Sequence, residues 1–134
     1  MSKEFIWPIR LYADDIDFYG IVYHGKYIEF MDRGRTEWMI SLGYGLEYMA
    51  QRDVKMAVYA LEVKYSKPAY LGDQLEVVTR LADTSRTCLH FEQIIRSEIN
   101  PGLTYCHARI TVVCLNNKMR PCAIPKELVE RMND

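Results

Sequence analysis

The chain has 134 residues, 49% of them apolar, which suits one compact domain around one core and is too short for two ordinary ones. Its 17 basic and 18 acidic residues leave a formal charge of -1; with no general field to hold nucleic acid or an anionic membrane, any anionic ligand must be met by a local basic cluster. Lys3, Glu4 and Arg10 interrupt the N-terminus and no uncharged stretch approaches the length of a membrane span, so a cytoplasmic protein is expected.

Residues 5–12 mix aromatic, β-branched and basic side chains as a short strand does, and Pro8 marks an edge position or an irregularity. Asp17 then falls in the loop that leaves this strand. Tyr27, Met31, Gly34, Trp38 and Leu42 recur at helical steps of three and four, while Glu29, Asp32, Arg33, Arg35 and Glu37 supply the polar side. Gly34 on the apolar stripe lets a sheet approach closely, at a cost of about 1 kcal/mol in helix propensity; Trp38, at the same spacing, is expected in the core. The helix stops near Gly43, and residues 46–51 add one or two further turns as a lid or pocket wall. From Met56 the period changes to two. Strands are expected at 57–65, 74–82, 87–97 and 103–115, separated by Ser66-Lys67-Pro68, Gly72-Asp73, a turn over 83–86, and Asn100-Pro101-Gly102. Along the last strand Cys106, Ala108, Ile110, Val112 and Cys114 form the more apolar face. Pro125 sits in the first turn of a short terminal helix, residues 125–132. One long helix and four antiparallel strands after a leading strand make an α+β arrangement in which one sheet covers one helix. Cys88, Cys106, Cys114 and Cys122 include no Cys-x-x-Cys pair, so reduced, mostly buried thiols are expected instead of disulfides or a zinc site. His90 and His107 lie on strands with no partner nearby in sequence, as surface or interface residues do.

The stretch Asp17-Phe18-Tyr19-Gly20-Ile21-Val22-Tyr23-His24-Gly25-Lys26-Tyr27 joins a carboxylate, a glycine turn and the first turn of the helix. N–H groups at a helix start lack partners within the helix and carry partial positive charge, so they can receive a developing oxyanion. A carboxylate beside them can serve as nucleophile or as general base for water. A lone Asp near a helix start is more often a cap.

With residues 30–37, the pattern Asp-x-x-Gly-Ile-Val-Tyr-His-x-x-Tyr resembles the hotdog-fold thioesterases of the 4-hydroxybenzoyl-CoA thioesterase type. It is most similar to the Tol-Pal-associated acyl-CoA thioesterases of bacteria, and the likeness runs from Trp7 through Met119-Arg120-Pro121 to Ile124-Pro125. The resemblance implies a five-stranded antiparallel sheet wrapped around one long central helix, as a single domain over residues 1–134. It implies hydrolysis of a short to medium or aromatic acyl-CoA to free acid and coenzyme A, with no metal or cofactor beyond the coenzyme A of the substrate. Asp17 becomes the catalytic carboxylate, the backbone N–H of His24 polarises the thioester carbonyl, and Gly20 permits the tight turn between them. The His24 imidazole either orients substrate, water or Asp17, or completes the packing of the helix start. Tyr23, Tyr27 and Tyr59, with Tyr19, are candidates for the acyl pocket. Lys64, Lys67, Arg86, Lys118 and Arg120 stand where the family holds the nucleotide, and each also reads as an ordinary solvated charge.

The resemblance further implies a homo-oligomer, a dimer or tetramer whose sheets pair edge to edge. Ile16 replaces the usual threonine beside the carboxylate and Phe18-Tyr19 replaces small residues, changes expected to reshape the pocket. Three other readings stand beside hydrolysis of acyl-CoA. One is an acyl-carrier-protein thioesterase; another is a hotdog hydratase or dehydratase using a histidine as acid or base, which the Asp-x-x-Gly placement argues against; the third is a non-catalytic acyl-binding or scaffolding subunit tied to envelope maintenance or phospholipid synthesis.

Overall fold

The computed structural model describes residues 3–134. In chain order the elements are β1 (Phe5–Arg10), a 3-10 turn (Ala13–Asp15), α1 (His24–Ser41), α2 (Leu46–Ala50), β2 (Lys55–Tyr65), β3 (Gln74–Thr84), β4 (Cys88–Ser97), β5 (Thr104–Leu115) and α3 (Lys126–Asn133). The strand predicted over residues 5–12 ends two residues early. Asp15 is the reason: its carboxylate accepts the Tyr12 N–H at 2.8 Å and its own N–H donates to the Tyr12 carbonyl at 2.9 Å, which curls the chain out of the sheet. At the other turn read as 83–86, β3 runs on to Thr84 through a bulge between Leu81 and Asp83.

Tight turns make β3, β4 and β5 an antiparallel meander, and the two earlier strands add to its outer sides in the order β1-β3-β4-β5-β2. Pro8 therefore lies on an edge strand, where a missing N–H is tolerated. On β5 the expected face, Cys106 through Cys114 at every second residue, is buried. No helix among the described residues is long and apolar enough to cross a membrane.

The sheet packs on α1 through Tyr27, Phe30, Met31, Gly34 and Trp38, all buried. Trp38 stacks on Phe5 and meets the edge of Phe91. At Gly34 the contact is so close that a Cβ would collide with Cγ1 of Val77 on β3. Beneath it lies a satisfied polar knot. The Gln93 amide donates to the Met31 carbonyl at 2.9 Å and to Thr79 Oγ1 at 2.8 Å, and accepts from Arg35 Nη1 at 2.8 Å. α3 closes one end of the core with Leu128 and Met132, while its Arg131 donates to the Leu42 carbonyl at 2.7 Å and satisfies the end of α1. Cys106 and Cys114 are buried free thiols, and burial pushes both up to about 12.

Candidate active site at the start of the central helix

The Asp17 loop is built by its own backbone. The Asp17 N–H donates to the Ile21 carbonyl at 2.8 Å, the Gly20 N–H returns to the Asp17 carbonyl at 3.0 Å, and Ile16 bridges Val22. Gly20 closes this turn at φ 83°, where a side chain would be strained. The carboxylate adds to it, since Oδ1 accepts the N–H groups of Tyr19 at 2.8 Å and Ile21 at 3.4 Å. Oδ2 meets no partner among the described residues. Asp17 thus caps a turn with one oxygen and keeps the other free.

Helix α1 begins with Tyr23 as its N-cap and has no side-chain cap. Among the described residues nothing accepts the N–H groups of His24 and Gly25, so the positive end of the helix is open at the point the sequence marked. Two backbone bonds hold this end in place, Val22 N–H to the Ala69 carbonyl and Tyr23 N–H to the Asp15 carbonyl, each at 2.9 Å. Asp15 is buried and ion-paired to Lys26 at 3.6 Å, so this carboxylate is committed to structure.

A cavity of about 360 Å³ lies here, lined by Asp17, Ile21, His24, Tyr27, Tyr65 and Lys67, with Val22, Ser66 and Pro68 between them. Tyr65, at the end of β2, donates its hydroxyl to the His24 carbonyl at 2.9 Å and ties the helix start to the edge strand. Burial pushes the Tyr27 phenol up to about 12, against a hydrogen bond from the Ala69 backbone, so it stays protonated at neutral pH. The His24 imidazole is exposed and rests against the Tyr23 ring, 4.3 Å between centroids.

Of the residues singled out in the sequence, the fold gathers Asp17, His24, Tyr27 and Lys67 around one cavity, with Gly20 and Tyr23 adjoining. Others stand elsewhere in the chain. Tyr59 and Lys64 are exposed on β2, Arg86 lies in the β3–β4 turn, and Lys118 and Arg120 lie beyond β5, their N–H groups bound to Asn116 Oδ1. Phe18 and Tyr19 are exposed and line neither cavity. Tyr65 went unmarked in sequence, although it adjoins Lys64 and Lys67.

A second, larger cavity of about 510 Å³ opens at the far half of α1. Met39, Leu46, Met49, Met56, Val58 and Phe91 supply much of its apolar wall, and Arg35 joins them. α2 thus forms the pocket wall expected of residues 46–51. This cavity is roughly 20 Å along the helix from the carboxylate, at about 1.5 Å per residue.

Residues 12–132 match the family model of the thioesterase-like superfamily. The chain belongs to that superfamily. It is 36% identical over 126 residues to the acyl-CoA thioester hydrolase YbgC of Escherichia coli and Shigella flexneri, covering 93% of this chain and 92% of theirs. It is 32% identical over 130 residues to the acyl-CoA thioesterase YbgC of Haemophilus influenzae, covering 96% and 93%. Among solved structures, a probable thioesterase from Bartonella henselae superposes with a TM-score of 0.86 at 26% identity, covering 92% of this chain and all 100% of that one. The sheet order and the helix of this thioesterase-like chain are accordingly those of the hotdog fold.

Proposed function

We propose that the protein is an acyl-CoA thioesterase acting through Asp17. The observation that carries this reading is the free Oδ2 of Asp17 in one cavity with the uncapped start of α1. The thioester carbonyl oxygen lies on the His24 N–H, which stabilises the negative charge that forms there. Asp17 either attacks the carbonyl carbon or takes a proton from a water that attacks it. Collapse of the tetrahedral intermediate then breaks the C–S bond and releases coenzyme A. On the water route the acyl group leaves directly as the free acid; on the nucleophilic route a water then hydrolyses the mixed anhydride formed with Asp17, releasing the acid and restoring the carboxylate. Sequence relatives named as acyl-CoA thioester hydrolases support the choice of reaction.

The active unit in this reading is a homodimer. β2 is an edge strand of 11 residues with Val58, Tyr59, Leu61 and Tyr65 exposed, a poor surface to leave in water. Its beginning lines the larger cavity and its end lines the smaller one. Antiparallel pairing of two β2 strands about a two-fold axis sets the end of one against the beginning of the other. Each Asp17 then faces its partner's larger cavity, whose 510 Å³ falls within the ~300–1,000 Å³ usual for small-molecule sites and suits a short to medium or aromatic acyl group. The exposed Lys64, beside this junction, and Lys67 meet the nucleotide phosphates. A cytoplasmic location and service to an envelope system of the Tol-Pal kind complete the reading; both rest on resemblance.

Thiol release from short, medium, long and aromatic acyl-CoAs, measured for the native protein and Asp17→Asn, tests it. Turnover of at least one ester with a loss on the order of a hundredfold in the variant supports the assignment. Equal rates would reduce Asp17 to a turn cap.

A further inference from the structure

Arg35 is the anomaly of the larger cavity. Its side chain is only 11% exposed and lies among apolar walls from α1, α2, β2 and β4. A guanidinium carries five N–H donors and cannot accept. Among the described residues two contacts are present, Nη1 to Gln93 Oε1 at 2.8 Å and Nη2 to Asp32 Oδ1 at 3.3 Å. Asp32 is 70% exposed, so water weakens that pairing. Asp32 itself lines the cavity, and the other polar lining residues are Thr36, Tyr44, Lys55 and Asn117. Arg35 therefore faces the cavity as a desolvated cation with donors to spare. Burial lowers its pKa, opposed by Asp32; arginine nonetheless stays charged in proteins.

We propose that Arg35 is a specificity-determining residue that selects acyl groups carrying an acceptor oxygen, a hydroxyl or a carboxylate, on the part of the chain remote from the thioester. This rests on the reading that the larger cavity receives the acyl group of a substrate held at the partner's Asp17. A wholly apolar acyl group leaves the spare donors dry and unpaired when it displaces water from the cavity, whereas an oxygenated one receives them. Such a difference discriminates more strongly than an added methylene does, because the penalty falls on a buried polar group of the protein.

The test uses matched pairs that differ by one hydroxyl: phenylacetyl-CoA with 4-hydroxyphenylacetyl-CoA, and octanoyl-CoA with 8-hydroxyoctanoyl-CoA. Relative kcat/KM is measured in the native protein, Arg35→Met and Arg35→Lys. In parallel, calorimetry measures binding of the corresponding thioethers, which are not hydrolysed. The native protein is expected to prefer the hydroxylated member of at least one pair by about tenfold or more in both readouts. Arg35→Met brings that ratio close to one, and Arg35→Lys, which keeps a cation, retains part of it. A ratio near one in the native protein, or a native-like ratio in Arg35→Met, overturns the proposal. If Arg35→Met does not fold, Arg35→Lys decides it: an undiminished preference there overturns selection by the guanidinium, and a reduced one supports it. If no ester is hydrolysed the thioesterase reading fails, and the thioether ratio still decides the role of Arg35.

Discussion

Because Oδ1 of Asp17 holds the N–H groups of Tyr19 and Ile21 while Oδ2 is free, two substitutions should separate its structural and chemical parts. Asp17→Asn keeps a carbonyl acceptor for the turn and removes the charge; urea unfolding should move by no more than about 0.5 kcal/mol while thiol release falls about a hundredfold. Asp17→Ala loses the acceptor as well and should cost about a further 1 kcal/mol of stability. Tyr27 gives a pH dependence of definite sign. Its folded value of about 12 lies above the ordinary 10.0, so the unfolded chain releases this proton first and stability falls as pH rises from 10 toward 12. Tyr27→Phe should flatten part of that fall in denaturation midpoints taken at increasing pH. Asp17 and Gly20 were legible from their spacing. Tyr65 was not, because its partner, the His24 carbonyl, is 41 residues away in the chain.

Where α1 crosses the sheet, the absent side chain of Gly34 sets the separation. Gly34→Ala improves helix propensity by about 1 kcal/mol, yet its Cβ meets Cγ1 of Val77. The clash should win, with a net loss of about 1–3 kcal/mol in chemical denaturation; a stabilised variant would mean that the helix lifts off freely. The apolar period gave the helix and the glycine's place on it. It did not give the knot of Arg35, Gln93 and Thr79, whose members come from α1, β4 and β3 and meet only after the sheet forms. Nor did the pattern mark Asp15 as the residue that ends β1, since a short loop with three aspartates offers several equivalent turns.

For the whole molecule, the proposed dimer rests on the contrast between the two edge strands. β1 has six residues and carries Pro8, a protected edge, whereas β2 has 11 residues and several exposed apolar side chains. Leu61→Lys on β2 should therefore convert a dimer into monomers in sedimentation analysis and abolish thiol release together with it. Full activity in a monomer would refute the shared site. By itself the sequence determined the helix, the period-two strands, most of their turns and the carboxylate beside the helix start, because each depends on neighbours within a few residues. The tertiary structure alone decided which strands became edges, that only Lys67 of the basic candidates reaches the carboxylate's cavity, and that a larger cavity with a buried arginine lies at the other end of the helix. Those features depend on contacts between segments far apart in the chain, and local periodicity holds no record of them.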